Sequence, residues 1–159
     1  IPFIVRIVPK KLTIFILNGP NLNLLGEREP EVYGRDTLDD ISRACTKAAT
    51  AAGLRVDFRQ TNHEGELVTW LQEARTAAAG VILNAAAYTH SSIAILDALR
   101  SVEAPVIEVH LSNPYRREKF RRSSFVSQAA TGIICGLGGH GYVLAVEALA
   151  RLLATRSGG

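Results

Sequence analysis

The sequence predicts an α/β domain: a doubly wound, five-stranded parallel sheet of order 2-1-3-4-5 with helices on both faces, three layers in all. Three observations predict it. Apolar, β-branched runs alternate with segments of helical period five times along the 159 residues. Parallel neighbours need helical crossovers, and each interval between runs is long enough to hold one. The 47% apolar content, with no internal repeat, linker or low-complexity tract, suits one domain with a substantial core.

The strands read in order as "LTIFIL" (12–17), "LRVDFR" (54–59), "GVILN" (80–84), "PVIEVHL" (105–111) and "GIIC" (132–135). Between the first two, "TLDDISRACTKAATAAG" opens on a capping pattern at Thr37 and Asp40 and closes at Gly53, which marks a helix. "EGELVTWLQEARTAAAG" and "SSIAILDALRSV" supply the next two, and a last helix spans about 141–154. Residues 1–11 read as an extension outside the core, 12–154 as a single catalytic domain, and 155–159 as a tail.

Composition narrows the function. Fourteen of the eighteen basic residues are arginine, the side chain suited to gripping carboxylates or phosphates in fixed geometry. The basic residues are scattered except near 116–122 and are not interleaved with aromatics, which argues against nucleic acid and for an anionic small molecule. Cys45 and Cys135 have no metal or redox spacing and read as reduced core cysteines of a cytoplasmic protein. No apolar run approaches the ~20 residues a membrane span needs.

In open sheets of this kind the ligand sits beyond the carboxyl ends of the strands, where strand order reverses. That rule selects the polar segments "NGPNLN", "NAAAYTH" and "HLSNPYRREKFRR", which follow the first, third and fourth strands. "QTNHEGE", after the second, lies further from the reversal, and His63 reads as a surface histidine. Gly136, Gly138 and Gly141 in "GLGGHG" have G-x-G-x-x-G spacing, but the chain ends without the further strand and acidic residue of a dinucleotide site. Those glycines read as allowing close helix–sheet packing, with His140 in the turn.

Glu108 and His110 lie two apart on one strand and share a face, so the carboxylate can orient the imidazole and favour its protonated form. The alternatives are a purely structural pair, or a zinc site with His90. Arg117 and Arg121 share a face if their segment coils, either as a clamp for an anionic or polyhydroxylated ligand or as a solvated surface. Arg28 and Tyr33 sit on a loop long enough to close over the crevice. A phenol ionises near ~10, and an adjacent guanidinium favours the phenolate, which equips Tyr33 to remove a weakly acidic C–H proton. Otherwise the tyrosine simply packs. Asn21 is placed to hold a water or to donate to an oxygen that becomes negative. The four lysines, Lys10, Lys11, Lys47 and Lys119, do not end a buried strand, which argues against an imine-forming amine.

Together, "NGPNLNLLGEREPEVYG", "ILNAAAYTHSS", "IEVHLSNPYRREKFRRSS" and "GLGGHGY" resemble the type II 3-dehydroquinate dehydratases in order and spacing, from about Leu12 to Leu153. The resemblance implies a flavodoxin-like fold and a lyase that uses no cofactor, metal or Schiff base. The reaction implied is reversible anti elimination of water from 3-dehydroquinate through an enolate, giving 3-dehydroshikimate in the shikimate or quinate pathway. Tyr33 becomes the base with Arg28 beside it, and His110, oriented by Glu108, the acid for the departing hydroxyl. Asn21 steadies the enolate through a water. Asn84, Leu111 and Ser112 bind the substrate carboxylate and nearby hydroxyls, His90 and Arg121 hold ring hydroxyls, and Arg117 anchors the lid. Asp97 resembles the residue that reaches a neighbouring subunit's site in a homododecamer of four trimers, with neither nucleic acid nor membrane as partner. Ala86 stands where many members have glycine, implying a tighter backbone near the carboxylate pocket, and "THSS" replaces the commoner "THTS". A flavodoxin-like electron carrier and a metal-dependent hydrolase are the competing classes.

Overall fold

The computed structural model describes residues 12–157. Expectations for residues 1–11 and for the last two residues lie outside the described part. Five strands, β1 (Thr13–Asn18), β2 (Arg55–Gln60), β3 (Gly80–Asn84), β4 (Val106–His110) and β5 (Gly132–Cys135), form one parallel sheet of order β2-β1-β3-β4-β5. Fold class and strand order are as the sequence predicts. β1 and β2 each run one residue past their apolar stretches, because Asn18 and Gln60 remain paired in the ladder. Asn18 also pairs with Asn84, so two amides meet at the carboxyl ends of β1 and β3, the point where strand order reverses.

The helices are α1 (Pro30–Tyr33), a single turn inside the first polar loop, α2 (Leu38–Ala51), α3 (Glu64–Ala77), α4 (Ile93–Arg100) and α5 (His140–Ser157). α2 starts on the predicted capping box: Thr37 Oγ1 accepts from the Asp40 amide at 3.1 Å, and Asp40 Oδ2 accepts from the Thr37 amide at 3.0 Å. α5 extends three residues beyond the predicted end at 154.

Alternation along the strands divides the core in two. Ile14 and Ile16 of β1 pack with Ile41 and Cys45 of α2 and with Tyr142, Val146 and Leu149 of α5. Phe15 and Leu17 face the other way, onto Leu67 and Leu71 of α3 and Ile95 and Leu99 of α4. Full burial of side chains of this size stabilises by roughly 1.5–3 kcal/mol each, which fixes the strands whose ends carry the polar loops.

Cys45 is buried as expected, and desolvation pushes its thiol up to about 12. Cys135 is only half-buried, because it closes β5 at the sheet edge. The packing role expected of the glycine-rich turn holds at Gly141, where an added Cβ would touch Ile134 of β5 at 3.4 Å. Gly136 and Gly138 adopt φ of 85° and 60°, a left-handed conformation that L side chains rarely take, whereas Gly139 is the close-approach position, with a Cβ there meeting Ile41 and Asp36 at 3.0 Å. Among the described residues no helix is long and apolar enough to cross a membrane.

Candidate active site

A cleft of about 720 Å³, counted out to its open mouth, lies at the carboxyl ends of β1, β3 and β4. Asn21, Arg28 and Tyr33 reach it from the loop after β1, and Asn84 and His90 from the end of β3 and the turn beyond. The end of β4 and its loop contribute His110, Leu111, Ser112, Arg117 and Arg121. Glu108 stands behind His110 in the sheet. Asp97 is exposed on α4 and does not line the cleft. The lining carries three guanidiniums and no carboxylate among the described residues, so its field favours an anion.

Tyr33 lies between two arginines. Arg117 Nη2 donates to the Tyr33 hydroxyl at 2.9 Å, with the Arg117 Cζ 5.1 Å from the ring centroid. Arg28 Cζ lies 5.5 Å from that centroid, and its guanidinium pairs with Glu29 at 3.6 Å. The residue touching the phenolic oxygen is thus Arg117, which also donates through Nη1 to Ser112 Oγ at 3.2 Å. Arg117 and Arg121 do not share one helix. Short 3₁₀ turns at Pro114–Arg116 and Lys119–Arg122 are separated by extended backbone at Arg117, and the two guanidiniums converge instead on Glu118, at 3.8 and 2.8 Å.

On another wall, His110 Nε2 meets Glu108 Oε2 at 2.5 Å. A carboxylate only accepts, so Nε2 carries the proton and Nδ1 is left for the cleft. Glu108 is almost fully buried. Desolvation alone would raise its carboxyl, but hydrogen bonds from His110, Ser127 and Ser124 outweigh it and hold the group below the usual carboxylate range. Ser127 Oγ donates to Oε1 at 2.5 Å and Ser124 Oγ to Oε2 at 2.9 Å. Neither serine was singled out from sequence; their i,i+3 spacing after the arginine-rich segment was the available signal.

His90 Nδ1 lies 2.8 Å from the Ser123 carbonyl, which can only accept, so Nδ1 bears hydrogen and Nε2 is the acceptor. Desolvation is the largest influence on this ring and lowers its pKa, with the nearby His110 and Arg121 acting the same way, so His90 is neutral near pH 7. Its ring stacks on that of His110 with centroids 6.5 Å apart. Among the described residues no three His, Cys, Asp or Glu side chains are grouped as metal ligands would be.

Asn21 adopts φ 68°, a conformation asparagine tolerates better than most residues. Its backbone N–H donates to Asn62 Oδ1 at 3.0 Å, and the Asn62 backbone carbonyl accepts from the Tyr88 hydroxyl at 2.8 Å. The loop after β2, set aside from sequence, therefore buttresses the site, because β2 lies beside β1 and their loops leave the sheet together. His63 is exposed, as expected. Gly19 is obligatory for a different reason: a Cβ there would sit 2.5 Å from the Ala85 carbonyl oxygen. Ala86 takes φ 51°, the conformation in which glycine is unstrained.

Residues 12–150 match the family described as Dehydroquinase class II. The chain is 56% identical over 147 residues to "3-dehydroquinate dehydratase 2" of Pseudomonas putida, covering 92% of this chain and 99% of that protein. It is 59% identical over 140 residues to "3-dehydroquinate dehydratase" of a Caulobacter strain, covering 88% and 95%. The crystal structure of type II dehydroquinase from Propionibacterium acnes superposes with a TM-score of 0.83 at 45% identity, covering 89% of this chain and 99% of that one.

Proposed function

Because this chain belongs to the class II dehydroquinase family, we propose that it is a lyase that reversibly dehydrates 3-dehydroquinate to 3-dehydroshikimate in the shikimate or quinate pathway. One observation carries the reading: a phenol flanked by two guanidiniums and an imidazole backed by a buried carboxylate face the same cleft. One is suited to accept a proton and the other to deliver one.

The substrate's carboxylate is held by the Asn84 amide, the Leu111 and Ser112 backbone amides and the Ser112 hydroxyl. His90 and Arg121 hold ring hydroxyls. Tyr33, as phenolate stabilised by Arg117 and Arg28, takes the proton from the carbon beside the ketone, and the C–H electrons pass into an enolate. Asn21 stabilises that charge through a water. The enolate then collapses, the C–O bond breaks on the opposite face, and the His110 imidazolium gives its Nδ1 proton to the leaving oxygen, releasing water. Glu108 holds the ring through Nε2 so that Nδ1 faces the leaving oxygen. Tyr33 then returns its proton to solvent and His110 regains one.

The scheme uses no cofactor, metal or imine. Lys47 and Lys119 are exposed and do not line the cleft, while Lys10 and Lys11 lie outside the described residues. Asp97, exposed on α4, contributes to a neighbouring subunit's site in a homododecamer, and the enzyme works in the cytoplasm.

The test is ultraviolet absorbance of the conjugated enone on adding 3-dehydroquinate, with and without EDTA. Enone formation that chelator leaves unchanged is expected. A yellow, flavin-bearing protein inert toward 3-dehydroquinate would point to an electron carrier, and silencing by EDTA to a metal-dependent enzyme.

A further inference from the structure

The "GLGGHGY" segment has no part in the scheme above, yet its tyrosine crosses the core to the cleft. Tyr142, on the first turn of α5, is fully buried, and its hydroxyl lies between the two amides that end β1 and β3. The Tyr142 hydroxyl is 2.7 Å from Asn18 Oδ1 and 2.9 Å from Asn84 Nδ2. Asn18 Nδ2 is 2.9 Å from the Arg59 carbonyl, and Asn84 Oδ1 is 3.1 Å from the Ala86 amide nitrogen.

The two ends of this chain fix its direction. The Arg59 carbonyl can only accept, so Asn18 turns its NH₂ there and its oxygen to Tyr142. Tyr142 therefore donates to Asn18 and has only lone pairs to offer Asn84, which must present NH₂. At the far end the Ala86 N–H can only donate, so it requires the Asn84 oxygen. Burial keeps the Tyr142 phenol protonated far above neutral pH, so the direction does not reverse. Flipping the Asn84 amide would set two donors against each other at Ala86 and break the bond to Tyr142, costs of the kind that decide buried amide orientation.

We propose that Tyr142 is a positioning residue that locks the Asn84 amide with its second N–H free to donate into the cleft, which selects a hydrogen-bond acceptor such as the substrate's carboxylate at that point. The inference rests on the reading of Asn84 as a carboxylate-binding residue and extends it to the residue that sets its polarity. An acceptor-only ligand group finds a donor there, and a group offering only N–H or O–H meets another donor.

A double-mutant cycle tests it, using KM and kcat for 3-dehydroquinate from enone absorbance. Asn84→Ala is expected to raise KM about tenfold or more, the loss of a charge-assisted hydrogen bond. Tyr142→Phe is expected to raise KM about fivefold with kcat changed less than twofold, because binding is lost equally from ground and transition states. In the Asn84→Ala background Tyr142→Phe should add nothing to KM, since its effect passes through that amide. Should Tyr142→Phe not fold, Asn18→Ala takes its place in the cycle, as it frees the Tyr142 hydroxyl to turn on Asn84. Additive effects of Tyr142→Phe or Asn18→Ala on KM, or none in the single variant, overturn the inference and leave the reading of Asn84 intact. An unchanged KM in Asn84→Ala overturns both.

Discussion

Arg117 Nη2 donates to the hydroxyl of Tyr33 at 2.9 Å, joining residues 84 apart in the chain, while Arg28 flanks the same ring 5.5 Å from its centroid. A cation bonded to the phenolic oxygen stabilises the phenolate more than one beside the ring, because Coulomb energy grows as distance falls. Arg117→Ala should therefore lower kcat by about 10²-fold, the lower end of what a positioned general base contributes. Steady-state turnover of the variant checks this, and a wild-type kcat would count against it.

Ser127 offers a test on the acid side. The Glu108 carboxyl is buried, which opposes its ionisation, and the hydrogen bonds from His110, Ser127 and Ser124 more than compensate. A carboxyl depressed in the folded state adds stability above its unfolded value of ~4.3, and that contribution disappears as pH falls through the lower folded value. Ser127→Ala should cost about 1.5–3 kcal/mol at pH 7, the range for a hydrogen bond to a charged group. The deficit should shrink well below pH ~4. Urea unfolding at both pH values measures it, and a deficit independent of pH would assign Ser127 to packing alone.

Gly19, packed against the Ala85 backbone, and the adjoining Ala86 carry opposite expectations. Ala86 sits at φ 51°, where a Cβ costs ~1–2 kcal/mol, partly offset in glycine by its greater freedom when unfolded. Ala86→Gly should stabilise by about 0.5–1 kcal/mol and raise Tm by roughly 2 °C. Gly19→Ala forces a methyl against the Ala85 carbonyl and should destabilise by about 1–3 kcal/mol while raising KM, as Asn84 to Ala86 are pushed aside. Thermal unfolding decides both, and a neutral Gly19→Ala would show that the turn yields.

Treatment with sodium borohydride in the presence of 3-dehydroquinate should leave activity unchanged and no mass adduct, because no described lysine lines the cleft. Inactivation with a stable adduct would require an imine and a different mechanism.

What the sequence revealed follows from the range of the interactions. Strands and the α2 cap were legible because continuous apolar, β-branched runs and a capping box are written within a few neighbouring residues. The pairing of Glu108 with His110 was legible for the same reason, as two positions on one strand face. Tyr142, Asn62 and Ser127 were not, since they reach their partners across separations of 58, 41 and 19 residues, which only packing creates. In sequence Tyr142 is indistinguishable from any core residue of a helix. Arg117 and Arg121 would share a face only if their segment coiled, and the extended backbone at Arg117 divides it into separate turns.

The most direct test of Tyr33 as the base is turnover by Tyr33→Phe, followed through enone absorbance alongside a titration of 3-dehydroquinate binding. The ring and its cation contacts persist in the variant, and only the oxygen is lost. Turnover should fall by at least about 10³-fold with binding within severalfold of wild type. Enone formation within tenfold of wild type would contradict the account.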